Sequence, residues 1–266
     1  MKKSKILVRV NNLLEVEEYK KLGISNFLFA IKEFSIGYDT FTLDELCNLN
    51  VNVYVLLNRV LDNNDIDSIR KIKDKFNFVK GIIFEDIGIY QLFKDTNINL
   101  IWNQAHFAVS TSSVNYWLGR VNSVVLSNEL EKEELKNLLN NVKNKVILPV
   151  FGLNMAMYSR RYLLSFFNEY NKLKKVNKAI LETLNKKEFL AVENKYGTVL
   201  FYSKYFNLIP YLDEFNDESI LFYYVDANGI DANMFEKLLL NDSSLIEIDN
   251  RFFETKTVYR IGDLDD

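Results

Sequence analysis

The feature that most constrains the fold is a repeated alternation of short apolar runs with longer amphipathic stretches. The apolar runs are continuous, which is typical of parallel strands whose outer face is covered by helices. The steps follow one another at intervals of roughly 25 residues. The predicted strands are residues 6–10, 26–31, 51–57, 81–84, 100–102, 123–126, 145–151 and 220–225.

This order of elements predicts an α/β fold, namely a (β/α)8 barrel of the TIM type. The chain has no glycine-rich dinucleotide fingerprint, which would favour an open sheet. No linker rich in proline, glycine or serine divides the 266 residues. We therefore predict one domain over residues 1–266. Residues 1–165 would hold the first seven strands, and residues 218–266 would close the barrel and form a C-terminal tail.

The regular alternation breaks between the seventh and the eighth strand, which indicates an insertion. A helix running to about residue 171 is followed by the lysine-rich residues 172–184, which predict a second, basic helix. Residues 189–193 and 198–202 flank a turn that contains Gly197, which is typical of a β-hairpin. The insertion, residues 172–205, is therefore predicted to be a helix and a β-hairpin.

Composition limits the kinds of ligand and compartment. The net charge of −3 gives no global attraction to nucleic acid, so RNA binding would need a local basic patch. The lysines of residues 172–187 are the candidate patch, with a solvated helix face as the alternative. Cys47 is the only cysteine, which excludes an internal disulfide. No stretch approaches the ~18 apolar residues of a membrane span, so we expect a soluble, cytoplasmic protein without membrane contact.

A group of polar residues follows the seventh predicted strand, which we expect to end at Gly152. Tyr158, Ser159, Arg160 and Arg161 would then lie on the first turn of a helix. Barrels often bind phosphate at this place, and guanidinium groups match phosphate oxygens, so these four residues predict a substrate or phosphate site. The alternative for the arginines is a structural salt bridge. Ser159 as a nucleophile lacks the glycine-flanked elbow that exposes a serine hydroxyl.

Other polar residues follow predicted strands whose carboxyl ends should meet at the barrel mouth, among them Asn58 after the third strand and Asp226 after the eighth. Glu85 and His106 are candidates for an acid/base pair, and Asn103 and Gln104 are candidates for substrate binding. The alternative is that His106 binds a neighbouring loop and Glu85 caps a helix. Glu85 with Asp86 could hold a divalent cation, but solvent exposure explains adjacent carboxylates equally well, and no metal site is predicted.

The residues around Gly152 resemble the signature of the collagenase-like peptidase family U-32. The positions that match this signature are Gly152, Tyr158, Ser159, Leu163, Leu164 and Ser165. Further resemblance, in the expected order, lies in residues 82–86, 102–106, 123–130, 196–198 and 256–259. The resemblance therefore covers nearly the whole chain.

The resemblance also implies a difference from some members of the family. Members active in RNA hydroxylation, or in oxygen-independent hydroxylation of ubiquinone precursors, hold a four-iron cluster through four cysteines. Two of those cysteines fall at positions occupied here by Met155 and Tyr162. Neither side chain supplies a thiolate, and Cys47 alone cannot replace four ligands, so we expect no iron–sulfur cluster and no other cofactor.

Two hypotheses of function follow from the resemblance. In the first, the chain is an accessory or substrate-positioning subunit in tRNA or rRNA base hydroxylation. Its partners would be a cluster-bearing paralogue of the family and RNA. In the second, the chain is a hydrolase that cleaves peptides at the barrel mouth, as the family name implies.

Overall fold

The computed structural model describes residues 1–104, 107–183 and 186–256. Its strands, numbered along the chain, are β1 (Ile6–Arg9), β2 (Asn26–Ile31), β3 (Thr40–Phe41), β4 (Asn52–Leu57), β5 (Gly81–Phe84), β6 (Asn99–Asn103), β7 (Ser123–Val125), β8 (Val146–Ser159), β9 (Lys178–Glu182), β10 (Glu188–Asn194), β11 (Gly197–Asn207) and β12 (Ile220–Asp226). Its α-helices are α1 (Leu13–Lys21), α2 (Leu43–Leu46), α3 (Asn63–Lys71), α4 (Ile87–Phe93), α5 (Thr111–Leu118), α6 (Lys132–Asn141), α7 (Leu163–Tyr170), α8 (Ala232–Leu239) and α9 (Arg251–Glu254).

Eight parallel strands close into a barrel, which confirms the predicted (β/α)8 fold. The ring runs β1, β2, β4, β5, β6, β7, β8 and β12. The last strand closes it, because β12 pairs in parallel with both β8 and β1. The registers Ile220↔Val146 and Ile6↔Tyr223 mark the two seams. The polar residues that follow these strands therefore gather at one end of the barrel.

The continuous apolar runs reflect burial on both faces of each barrel strand. Successive side chains point to opposite faces of a strand. Ile6 and Val8 pack outward in the cluster that the helices cover, whereas Leu7 packs inward with Leu28 and Ile147 in the barrel interior. Because neither face meets water, β1 reads as unbroken apolar sequence up to the buried Arg9.

The strand β8 continues far beyond the barrel, so the prediction that it ends at Gly152 is wrong. Its first half pairs in parallel within the barrel, and its second half pairs antiparallel with β11 as far as Ser159. At Gly152 φ is +152°, and a Cβ there would lie 2.7 Å from the Cβ of Asp226. Glycine is needed at this position because β8 passes so close to β12.

The inserted hairpin is confirmed, but the second basic helix is wrong. β10 and β11 pair antiparallel around the turn before Gly197. Residues 172–184 form no helix where the structure describes them: Lys172 adopts a φ of +54° after α7, and β9 then pairs with β10. A lysine-rich amphipathic stretch suits an edge strand as well as a surface helix. Here the stretch forms a strand because it pairs with the edge of β10.

The second half of β8 forms, with β11, β10 and β9, an antiparallel extension of the sheet, which we call the flap. It packs on the carboxyl end of the barrel through a buried cluster of Ile36, Leu153, Val199 and Phe201. The ring of Tyr196, in the hairpin turn, lies 3.9 Å from the guanidinium of Arg59. The flap therefore covers part of the barrel mouth. In the described part of the chain, none of the helices has the length and apolar character needed to cross a membrane.

Candidate binding site at the barrel mouth

A cavity of about 110 Å³ lies at the carboxyl end of the barrel, partly under the flap. Its walls combine aliphatic and aromatic groups with a small number of amides and two carboxyl groups. The polar and aromatic lining residues are Tyr38, Asn58, Glu85, Asn103, Asn128, Phe151, Phe206, Tyr224 and Asp226, with Met155 contributed by β8. Apolar walls with convergent polar groups are typical of sites for small ligands.

Glu85 forms one polar wall of this cavity, directly after β5. The Nδ2 of Asn103 donates to its Oε1 at 3.1 Å. The Nε2 of Gln104 donates to the backbone oxygen of Glu85 at 3.2 Å. This bond holds the loop after β6 against the loop after β5. Burial raises the pKa of Glu85 to about 8. Most of this carboxyl is therefore protonated at neutral pH, when it can donate as well as accept a hydrogen bond.

Asp226 lies on the opposite wall, and behind it lies its partner Arg9, a residue that the sequence pattern did not single out. Nε and Nη2 of Arg9 each lie 2.6 Å from Oδ1 of Asp226, and Arg9 is fully buried. Burial lowers the pKa of Arg9, but the charge of Asp226, its hydrogen bond and the neighbouring tyrosines together outweigh burial, so the pKa is raised overall. A charged residue that ends a continuous apolar strand was the available signal, since only a buried counter-ion makes that position tolerable.

Two tyrosines of the cavity lining, Tyr38 and Tyr224, lie near the Arg9–Asp226 pair. The guanidinium of Arg9 lies 4.3 Å from the ring centre of Tyr38. Burial, followed by the charge of Asp226, raises the pKa of Tyr38 and of Tyr224 well above the ordinary value. Both phenols are therefore neutral at neutral pH, and both residues line the cavity.

Amides at the mouth serve first to fix loops. Asn58 accepts from the backbone nitrogen of Ile36 at 3.1 Å and donates to its oxygen at 3.2 Å. Asn128 donates to Asn154, which connects the loop after β7 to the flap strand. Sequence reasoning placed Asn58 at the mouth but did not find Asn128 or Asn154, because their pairing joins segments 26 residues apart.

The structure describes part of the predicted acid/base and cation sites. Glu85 and Asn103 come together in the cavity, whereas His106 lies outside the described residues, so the Glu85–His106 pair stays a prediction. Asp86 caps α4 by accepting from the backbone nitrogen of Gly88 at 2.7 Å. Among residues 1–104, 107–183 and 186–256, no group of three histidine, cysteine or acidic side chains is arranged to hold a metal ion.

The residues predicted to open a helix after Gly152 do not do so. Tyr158 and Ser159 end strand β8, Arg160 and Arg161 lie in the exposed turn, and α7 begins at Leu163. The hydroxyl of Tyr158 donates to the backbone oxygen of Tyr196 at 3.3 Å.

Both arginines lie outside the cavity lining. Nη2 of Arg160 is 3.7 Å from Oδ2 of Asp62, which caps α3, the helix that follows β4, so Arg160 lies at the same end of the barrel as the cavity. This exposed contact is a salt bridge, which was the alternative to phosphate binding for the arginines. Arg161 is exposed, and its backbone nitrogen donates to the Ser159 hydroxyl at 3.2 Å.

The amides that start α7 bind a carboxylate of the protein itself. Glu193, on β10, accepts from the backbone nitrogens of Leu164 at 2.8 Å and Ser165 at 3.1 Å. The hydroxyls of Ser165 and Thr198 also donate to Glu193. A helix N-terminus with a bound carboxylate has no free amides for phosphate, so the geometric basis of the predicted phosphate site is lost.

A comparison with models of protein families shows which family the chain resembles. The model described as Peptidase family U32 matches residues 29–234. This range covers most of the chain and includes the flap and most of the mouth. The chain belongs to peptidase family U32. A search of curated proteins found no match for it.

The iron–sulfur cluster of some U32 proteins does not fit the donor groups of this U32 chain. At the two signature positions, Met155 lines the cavity with a thioether, and the Tyr162 hydroxyl donates to the backbone oxygen of Lys195 at 3.0 Å. Cys47, the single cysteine, is exposed at the end of α2. Four thiolates are needed to ligate such a cluster, and this chain can supply one.

Proposed function

We propose that this U32 chain is a substrate-positioning subunit in RNA base hydroxylation. In this proposal it acts in the cytoplasm beside a cluster-bearing member of the family, and its mouth cavity holds the base. The observation that carries the proposal is the lining of the cavity. Among the described residues that form it, none is a serine, threonine or cysteine, and Met155 occupies the signature position that faces inward.

The chemistry of the lining suits a nucleobase. Amides such as Asn103 pair with the donor and acceptor edges of bases, and a protonated Glu85 adds a donor beside them. Tyr38 and Tyr224 line the cavity, and unstacked RNA bases are commonly held on aromatic side chains. Such a site binds and orients without a covalent step.

The test is the profile of modified nucleosides in cells that lack the chain. Mass spectrometry should show the loss of a hydroxylated nucleoside, which returns with the wild-type chain. An Asn103→Ala/Tyr224→Ala variant should not restore it, whereas an Asn99→Ala variant at the opposite end of β6 should. An unchanged profile after deletion would contradict the proposal. Purification at native abundance should also recover an iron-containing U32 partner.

A peptidase is the second candidate, and the raised pKa of Glu85 is the observation in its favour. A carboxyl group that titrates near neutral pH suits general acid or base catalysis. This candidate expects cleavage of gelatin or short peptides that is abolished by Glu85→Gln. If the purified wild-type chain leaves these substrates intact across neutral pH, the peptidase candidate is wrong.

A further inference from the structure

We propose that a groove between α7 and the turn of the flap binds single-stranded RNA. The groove has a volume of about 770 Å³, far larger than the mouth cavity. The residues that form its walls and carry the argument are Tyr162, Phe166, Lys175, Asn177, Asn194 and Lys195. The choice of RNA over DNA rests on the proposed function.

Aromatic rings exposed to solvent are the first observation. Tyr162 is 44% exposed and Phe166 is 56% exposed, with the two ring centres 6.4 Å apart at an angle of 65°. Tyr170, at the end of α7, is 88% exposed. A monomer rarely leaves such a group of aromatic side chains in water, and bases of single-stranded RNA stack on such rings.

The charge next to these rings is the second observation. Residues 171–178 contain four lysines, Lys172, Lys174, Lys175 and Lys178, and no acidic residue, although the whole chain carries −3. All four are exposed, and none forms an ion pair within the described parts of the chain. Lysine is depleted where proteins bind proteins, whereas it supplies the phosphate contacts of nucleic-acid sites.

The shape of the surface distinguishes RNA from a membrane. Tyr162 and Phe166 line a concave groove, whereas a helix that binds the bilayer interface presents its apolar side chains outward. The amides of Asn177 and Asn194 lie in the same groove and offer hydrogen bonds to base edges. Glu169 and Glu193 also line the groove, but the carboxylate of Glu193 is bound by the first amides of α7. Aromatic, amide and lysine side chains therefore lie on one surface with the pattern of a single-strand site.

The binding test uses the full chain and a fluorescein-labelled oligouridylate about 12 nucleotides long. Fluorescence anisotropy at low salt should show binding. Tyr162→Ala/Phe166→Ala should weaken it by about 5-fold per ring, because each stacked base is lost. Tyr162→Phe, which keeps the ring, and Tyr116→Ala on α5, which is as exposed as Phe166, should bind like the wild type. Circular dichroism of each variant checks that the fold is kept.

Salt dependence tests the lysines separately. Lys174→Ala/Lys175→Ala should reduce the slope of log affinity against log salt by about 1.4, since each phosphate contact on a single strand contributes about 0.7. Lys143→Ala/Lys145→Ala removes the same charge before β8, at the opposite end of the barrel, and should leave the slope unchanged.

Several outcomes would overturn the groove proposal. They are absence of RNA binding by the wild type, binding that the groove variants leave intact, equally tight binding of an oligothymidylate, and preferential binding to phosphatidylserine vesicles. These outcomes are distinct from failure of the proposed function. A deletion that leaves the nucleoside profile unchanged contradicts the base-positioning role, while RNA binding lost in the groove variants would still support the groove.

Discussion

Single residues at the mouth owe their chemistry to what surrounds them. Glu85 directly follows an apolar strand and lines the cavity. Arg9 and Asp226 are carried into the same interior by adjacent strands in register. Burial disfavours the charge of Glu85, whereas Arg9 and Asp226 stabilise each other's charge. The two walls of the cavity therefore differ in charge at neutral pH, with a mostly neutral acid facing an ion pair.

We expect the stability of the protein to fall between about pH 5 and pH 8 because of Glu85. Its pKa is about 8 in the folded protein and about 4.5 when unfolded, so the folded state holds an extra proton in this range. One such proton lowers the free energy of unfolding by about 1.4 kcal/mol per pH unit. Glu85→Gln should remove this slope in urea denaturation measured over the range. The exposed Glu188→Gln should retain it, and an unchanged slope in Glu85→Gln would contradict the burial effect.

We expect Asp226→Asn to destabilise the protein by about 3 kcal/mol, because it leaves the buried guanidinium of Arg9 without its counter-ion. Urea denaturation at neutral pH measures the change. The control is Asp217→Asn, whose contact with Lys5 at 2.8 Å is partly exposed and should be worth less than about 1 kcal/mol. Equal effects of the two substitutions would show that burial of the Arg9 pair is not what matters.

At the scale of elements, the family signature describes how the flap is attached. Tyr158 binds the hairpin turn, and Ser165 and Thr198 bind Glu193, which caps α7 from a neighbouring strand. A Cβ at Gly197 would come within 2.0 Å of the backbone oxygen of Ser159, so only glycine fits there. Tyr158 and Ser165, two residues that match the signature, therefore have a structural role in joining β8, α7 and the hairpin.

We expect Glu193→Gln to loosen α7 and to cost about 1–2 kcal/mol, as the loss of a helix cap does. Burial raises the pKa of Glu193, but hydrogen bonds from Ser165, Thr198 and the amides of α7 outweigh burial and lower it overall. The contribution is therefore present above the ordinary glutamate pKa and is lost as pH falls through the lowered one.

Hydrogen exchange of the Leu164 and Ser165 amides measures this effect directly. Both should exchange faster in Glu193→Gln at neutral pH, and the difference from wild type should shrink in acid. Glu188→Gln, on the exposed start of the same strand, is the matched control and should leave both amides protected. Protection that Glu193→Gln leaves unchanged would contradict the cap.

At the scale of the whole molecule, barrel and flap share one strand and one buried joint. β8 runs through both, and Leu153 on its flap half packs against Ile36 of the barrel loops and Phe201 of β11. A flap that opened would expose this cluster to water, which the hydrophobic effect opposes. The cavity and the groove are therefore held in a constant relation by the same strand.

We expect barrel and flap to unfold together. Trp102 and Trp117 stack at 4.1 Å in the barrel region, so their fluorescence follows the barrel, whereas far-ultraviolet circular dichroism follows the whole chain. The two urea curves should coincide for the wild type. Phe201→Ala, which empties the centre of the joint, should separate them, and an exposed substitution such as Leu240→Ala should not. Separate curves in the wild type would show that the flap is an independent unit.

The amino-acid sequence by itself determined the barrel, its eight strands and the hairpin. Continuous apolar runs report burial on both faces of a strand, and burial is a property of each residue along the chain. The sequence also placed Glu85, Asn103 and Asp226 at one end of the barrel, since the carboxyl ends of parallel strands lie at the same rim. The single-domain prediction and the pairing of Glu85 with His106 stay predictions.

Only the tertiary structure decided where β8 ends, that residues 178–182 form a strand, and that Arg160 and Arg161 lie outside the cavity. Each of these outcomes depends on a partner distant in the chain. β8 extends along the edge of β11, and residues 178–182 pair with the edge of β10. The arginines precede α7, whose first turn is bound by the carboxylate of Glu193. Local periodicity cannot report such partners, because a strand edge or a helix end is satisfied by whichever group the fold brings to it.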